Sequence, residues 1–110
     1  MIFDSNGTSI IITQEKEIVV EMVKKLEVIY ERFKNDNVIV YLTSLTNIPL
    51  ENIVEFLQIS INHRKAKHSF VIVSDKVNLD EIPDEIIVVP TMQEAYDIIE
   101  MEEIERDLGF

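Results

Sequence analysis

The spacing of hydrophobic and polar positions changes repeatedly along the chain and divides it into short elements. Near the start, IFDS is separated from TSIIIT by Asn6-Gly7. Asn-Gly accepts positive φ at little cost, so the two runs predict a β-hairpin pairing Ile2–Asp4 with Ser9–Thr13. From Glu15 to Lys34 the period lengthens: Val19, Val23, Leu26, Ile29, Tyr30 and Phe33 recur at three- and four-residue steps, the apolar face of a helix. Asn35-Asp36-Asn37 ends it with turn-forming side chains.

The run VIVYL, Val38 to Leu42, is almost wholly apolar and reads as a strand covered on both faces. The stretch LTNIPLENI leads into a second helix from about Leu50 to His63, with Leu50, Ile53, Val54, Leu57 and Ile61 as its stripe. Asn47 is a candidate cap, and Pro49 suits a first turn, where its missing N–H costs nothing. FVIV (Phe70 to Val73) and IIVV (Ile86 to Val89) predict two more buried strands, joined by a short connection over Val77–Pro83. After Pro90, Thr91 and Glu94 form a T-x-x-E capping box for a final helix ending near Asp107, with Gly109 beyond it.

Strands alternating with helices imply an α/β fold with a mixed, mostly parallel sheet of four or five strands. A chain of 110 residues is one domain by size, spanning 1–110.

Charge adds an asymmetry that the pattern alone does not show. The net charge is −11; residues 1–78 hold nine Lys and Arg against ten Asp and Glu, whereas residues 79–110 hold only Arg106 against eleven acids. Such a chain repels phosphates, so no direct nucleic-acid binding is expected. The acidic final helix reads either as a solvated face or as a docking surface for a basic partner. The basic cluster HRKAKH, 63–68, reads as a solvated helix end whose cations suit the macrodipole, or as a phosphate contact. No apolar run approaches the ~20 residues of a membrane span, and no leader pattern opens the chain, so a cytoplasmic location and no membrane association are expected.

The chemistry of common sites is sparse. There is no cysteine, and two glycines leave no dinucleotide cradle or P-loop. His63 and His68, the two histidines, straddle a helix–strand boundary and read as solvated residues; no metal site and no cofactor are expected. Catalytic residues are not identified, and the chain is expected not to be an enzyme.

One segment carries more than periodicity. VIVYLTSLTNIPLENIVEFL, Val38 to Leu57, resembles the central strand–loop–helix of STAS domains, the anti-sigma factor antagonist family. Val38, Ile39, Val40 and Leu42 match its strand, Leu45 and Ile48 its apolar loop positions, and Ile53, Phe56 and Leu57 its helix. SFVIVSD resembles the family's next strand and VVPTMQEAYDII its last strand and helix, so the likeness covers nearly the whole chain as a pattern of elements. The tail MEEIERDLGF is similar to the end of short STAS-like proteins of Bacteroidetes, some of which carry a ribonuclease Z label. That nuclease family uses an H-x-H-x-D-H cluster that two histidines cannot supply.

The resemblance implies a STAS-like fold, with two or three helices mainly on one face of a four- or five-stranded sheet and the other face partly open and available for self-association as a homodimer. It further implies a non-catalytic regulatory module that binds a protein partner, an anti-sigma-like kinase or, in the alternative, ribonuclease Z, which it would assist in tRNA 3′ processing without nuclease activity of its own. It also marks a departure. The family's D-S-S-G falls on Pro49, Leu50, Glu51 and Asn52, so Leu50 stands where a partner kinase would phosphorylate a serine. Glu51 reads either as ordinary stabilisation of a helix start or as a fixed stand-in for the phosphate charge. Thr43, Ser44 and Thr46 are hydroxyls near this joint, and nothing local singles one out. The implied partner-binding strip is Asn47, Ile48, Pro49, Leu50, Glu51, Asn52 and Ile53.

Overall fold

A computed structural model describes residues 1–109; Phe110, the last residue of the tail decapeptide, lies outside the described residues. The first two strands form the expected hairpin, β1 (Ile2–Asn6) antiparallel to β2 (Ser9–Thr13). Asn6 pairs with Ser9, so the turn residues are Gly7 and Thr8, one position later than an Asn-Gly turn would place them. Gly7 takes φ 63°, the positive value a tight hairpin asks of its first loop residue.

β3 (Asn37–Tyr41), β4 (Phe70–Val73) and β5 (Ile87–Val89) then add in parallel, giving a five-stranded sheet in the order β1-β2-β3-β4-β5. The α/β class and the mixed, mostly parallel sheet are as the sequence implies. The radius of gyration is 13.0 Å, in line with the ~13 Å of a compact body of this length.

Alternation along the strands builds two cores. Ile12, Val38, Val40, Phe70 and Ile72 face one way and meet α1 (Val19–Val28), α2 (Leu50–Val54) and α3 (Leu57–Lys65). Ile39, Val71 and Val73 face the other way and meet Ala95 and Ile99 of α4 (Met92–Asp107). The expected one-sided arrangement therefore needs amending: three helices share one face, and α4 lies on the other. Its sequence hides this, because only Ala95 and Ile99 are fully buried along sixteen residues. Asn6 Nδ2 donates to Tyr96 Oη at 3.1 Å and Thr8 Oγ1 to Glu103 at 2.9 Å, tying the hairpin to α4 as well. What stays open on that face is the region of Ile2 and Tyr41, both substantially exposed.

The helices depart from the expected bounds for local reasons. The predicted Glu15–Lys34 helix is α1 followed by a 3₁₀ turn over Tyr30–Arg32. Its core positions Val19, Val23, Leu26 and Phe33 are buried as read, together with Met22. The helix expected over Leu50–His63 breaks between Val54 and Leu57. There Glu55 N–H bonds to Asn52 and Phe56 N–H to Ile53, three residues back, which tightens the coil. The buried line consequently runs Ile53, Phe56, Ile59, Ser60 and His63, while Val54 turns outward and Leu50, Leu57 and Ile61 are half-buried. Pro49, not Asn47, occupies the N-cap position of α2, and no side chain caps it. Thr91 does cap α4, accepting the Glu94 N–H at 3.2 Å.

His63 is the largest correction. It is fully buried, not solvated. Its Nε2 donates to the Asp36 carbonyl at 2.6 Å, because a carbonyl can only accept; its Nδ1 therefore accepts the Tyr30 hydroxyl at 2.7 Å. Both ring nitrogens are satisfied in the neutral form, with Phe33 and Phe70 packed edge-on around the ring. Burial pushes the His63 pKa below 6.5, against a smaller opposing pull from the Asp36 carbonyl. The 3₁₀ turn is what brings Tyr30 and Phe33 to this ring.

Two outcomes follow from this lock. As pH falls below 6.5, the unfolded chain takes up a proton at His63 before the folded one does. The His63 contribution to stability is complete above that pH and is lost progressively as pH drops toward the depressed folded value. Urea unfolding between pH 7.5 and 5 should show the decline, and His63→Gln should flatten it. Tyr30→Phe leaves the buried Nδ1 without a donor and should cost about 1–3 kcal/mol at neutral pH.

Candidate functional site

The joint singled out in the sequence lies at the carboxyl ends of β2 and β3. All three crossovers, β2 to β3 through α1, β3 to β4 through α2 and α3, and β4 to β5 through the connection that carries Val77 and Ile82, cover the same face of the sheet. Consecutive strands are neighbours throughout, so there is no point where the strand order reverses and opens the crevice in which doubly wound proteins hold their ligands. In its place is a shallow depression of about 350 Å³, open to solvent and lined by Gln14–Val19, Thr43, Ser44 and Thr46–Pro49 with Asn52.

Gln14 organises this end of the molecule. It directly follows β2, is buried, and uses every polar group it has. Its Oε1 accepts the Thr43 N–H at 2.9 Å and the Ser44 hydroxyl at 3.4 Å; its Nε2 donates to the Glu17 carbonyl at 2.8 Å. Its own carbonyl accepts the Thr43 hydroxyl at 3.0 Å, and its N–H bonds to Tyr41 at 2.9 Å. One side chain thus joins the segment entering α1 to the segment leaving β3. The sequence offers no signal for this role, because a glutamine after a strand and before EKE reads as ordinary loop.

The approach to α1 is acidic and braced. Glu15 and Glu17 lie 2.8 Å and 3.1 Å from the terminal ammonium of Met1, and the Glu17 side chain is only 6% exposed. Burial pushes the Glu17 pKa up, but backbone N–H groups and the ammonium together outweigh it and hold the carboxyl below its usual range. The far side of the joint is pinned by the Ile48 N–H, which donates to the Lys76 carbonyl at 2.9 Å.

The structure divides the expected binding strip. Asn47, Pro49 and Glu51 are exposed, and Leu50 and Asn52 are half-buried. Ile48 and Ile53 belong to the core instead: both pack with Phe56 and Val40 and present no surface to a partner. They hold the joint in place. Leu45, just before the strip, is 91% exposed on a loop braced at both ends. Glu51 sits in the first turn of α2 with its carboxylate in solvent. Thr43 donates its hydroxyl to Gln14, Ser44 leans on the same side chain, and Thr46 is exposed.

Among the described residues, no three His, Asp or Glu side chains gather as a metal-binding group, and no helix is long and apolar enough to cross a membrane. The joint can therefore offer shape, one apolar side chain, amides and a carboxylate.

Removing the Gln14 amide leaves the part-buried Thr43 N–H unpaired. Gln14→Leu should cost about 1–3 kcal/mol, and amide exchange at Thr43 and Ser44 should accelerate while β4 stays protected. Compared with known proteins, the chain matches no family model, no curated protein and no solved structure.

Proposed function

We propose that this protein is a non-catalytic interaction module that docks a protein partner on the joint between β3 and α2. The observation that carries the reading is Leu45: an almost fully exposed leucine on a loop held by Gln14 on one side and by the Ile48–Lys76 bond on the other. A single exposed leucine is ordinary, but the backbone on both sides of this one is held, which lowers the loop-ordering cost of binding. Around it, Asn47, Pro49, Leu50, Glu51 and Asn52 supply a polar and charged rim.

The likeness to anti-sigma factor antagonists supports the same surface and proposes an anti-sigma-like kinase or ribonuclease Z as the partner class. With leucine at the family's phosphoserine position, the module binds without a phosphate switch at that residue. Glu51 keeps a constant negative charge one residue after the position where the switch would add a variable one.

Protein immobilised through a C-terminal tag and exposed to native lysate should retain a partner. Leu45→Asp combined with Glu51→Lys should reduce its recovery by about tenfold, the loss expected when one apolar anchor fails to desolvate. Both positions are exposed, so the variant should unfold at the same denaturant concentration as the parent. Undiminished recovery would reject the joint as the docking surface. Intact-mass measurement of the protein from its own cells should show no added phosphate; a phosphate on Thr43, Ser44 or Thr46 would restore a switch at a shifted position.

A further inference from the structure

A second surface lies on the opposite side of the molecule, on the outer face of α4. Met101, Ile104 and Leu108 are 55%, 52% and 67% exposed. Steps of three and four residues put them on one line, a ridge about 10 Å long facing away from the sheet. The inward side of the same helix is accounted for by Ala95, Ile99 and Tyr96, and among the described residues these three apolar side chains belong to neither buried cluster.

The charges around the ridge say what suits it. Glu94, Asp97, Glu100, Glu105 and Asp107 are exposed beside or between its members. Arg106, the helix's single cation, is turned inward: its guanidinium donates to Ser69 Oγ and to Asn37 Oδ1, both at 3.3 Å. Arg64 of α3 is likewise occupied by Glu102, at 2.8 Å. Lys67, after α3, borders Glu105 and Asp107 at one flank; among the described residues of α4 itself, the outer face carries only apolar and anionic groups beside the polar Gln93. A second copy of this ridge would bring like charges together, and phosphate-bearing surfaces would be repelled.

We infer that the outer face of α4 is a docking ridge for a cationic amphipathic helix of a protein partner, whose apolar stripe packs on Met101, Ile104 and Leu108 while its Lys and Arg side chains meet the flanking carboxylates. Two helices so arranged would lie 8–10 Å apart along their axes. The inference is independent of the joint, which lies at the other side of the sheet.

The test uses the whole protein and a labelled synthetic peptide with leucines at heptad a and d positions and lysines elsewhere, beside a scrambled peptide of equal composition. Fluorescence anisotropy should show saturable binding of the patterned peptide, weakened as salt shortens the screening length. Ile104→Ser with Leu108→Ser should weaken it by about tenfold, and Glu100→Gln with Glu105→Gln should weaken it and reduce its salt dependence. All four positions are exposed, and circular dichroism checks that each variant keeps its fold. Equal binding of the scrambled peptide, or of the serine variant, would reduce the effect to general attraction by a polyanion and overturn the inference. A dimer in sedimentation that Ile104→Ser abolishes would assign the ridge to a second copy and overturn it equally.

Discussion

The structure depends on the burial of β4, and of β3 up to Tyr41, between α1–α3 on one face and α4 on the other. Val38, Ile39, Val40 and the four residues of β4 are all removed from solvent. In a parallel pair covered on both faces, water cannot reach the backbone from above or below, and the strands need not alternate in polarity. The requirement moves to the ends of the strands, where amides and carbonyls leave the ladder and still need partners. At the amino ends, Asn37 Oδ1 accepts the Ser69 N–H at 2.8 Å. At the carboxyl ends, Gln14 takes the Thr43 N–H. Under the helical layer, His63 takes the Asp36 carbonyl. Three buried polar side chains thus close the sheet, and each lies beside surface loops whose geometry it determines.

The same constraint explains which parts were legible beforehand. A run such as FVIV carries its own evidence of burial, so the strands and their parallel order could be read from β-branched composition and the intervening helical periods. The registers of α2 and α3 could not, because counting apolar residues passes over Ser60 and His63, which are as buried as Ile59. A serine donating to the Glu85 carbonyl and a histidine with two satisfied nitrogens behave as core residues only because of partners distant in sequence. The position of α4 was hidden for a related reason. With its outward face carrying Met101, Ile104 and Leu108, its apolar residues surround the helix instead of marking one side. At the joint, Asn47, Pro49 and Glu51 are exposed, whereas Ile48 and Ile53 look the same in sequence whether they support a surface or form it.

An unreversed strand order has a functional consequence. It denies the molecule the deep crevice that suits a small ligand and leaves a shallow, well-braced surface at the carboxyl ends of β2 and β3. Leu50, beside it, carries no hydroxyl that a kinase could phosphorylate. The remaining electrostatic feature is the acidity concentrated after residue 78, carried on α4 at the other face of the sheet. The two proposed surfaces, the joint with Leu45 and the apolar ridge of α4, are separated by the sheet itself.

Hydrogen–deuterium exchange of the protein, free and with its captured partner bound, tests the docking surface most directly. The account predicts added protection across residues 43–52, centred on Leu45 to Leu50, while β3 and β4, already closed on both faces, remain unchanged. A bound partner that leaves the exchange of this joint unaltered would contradict it.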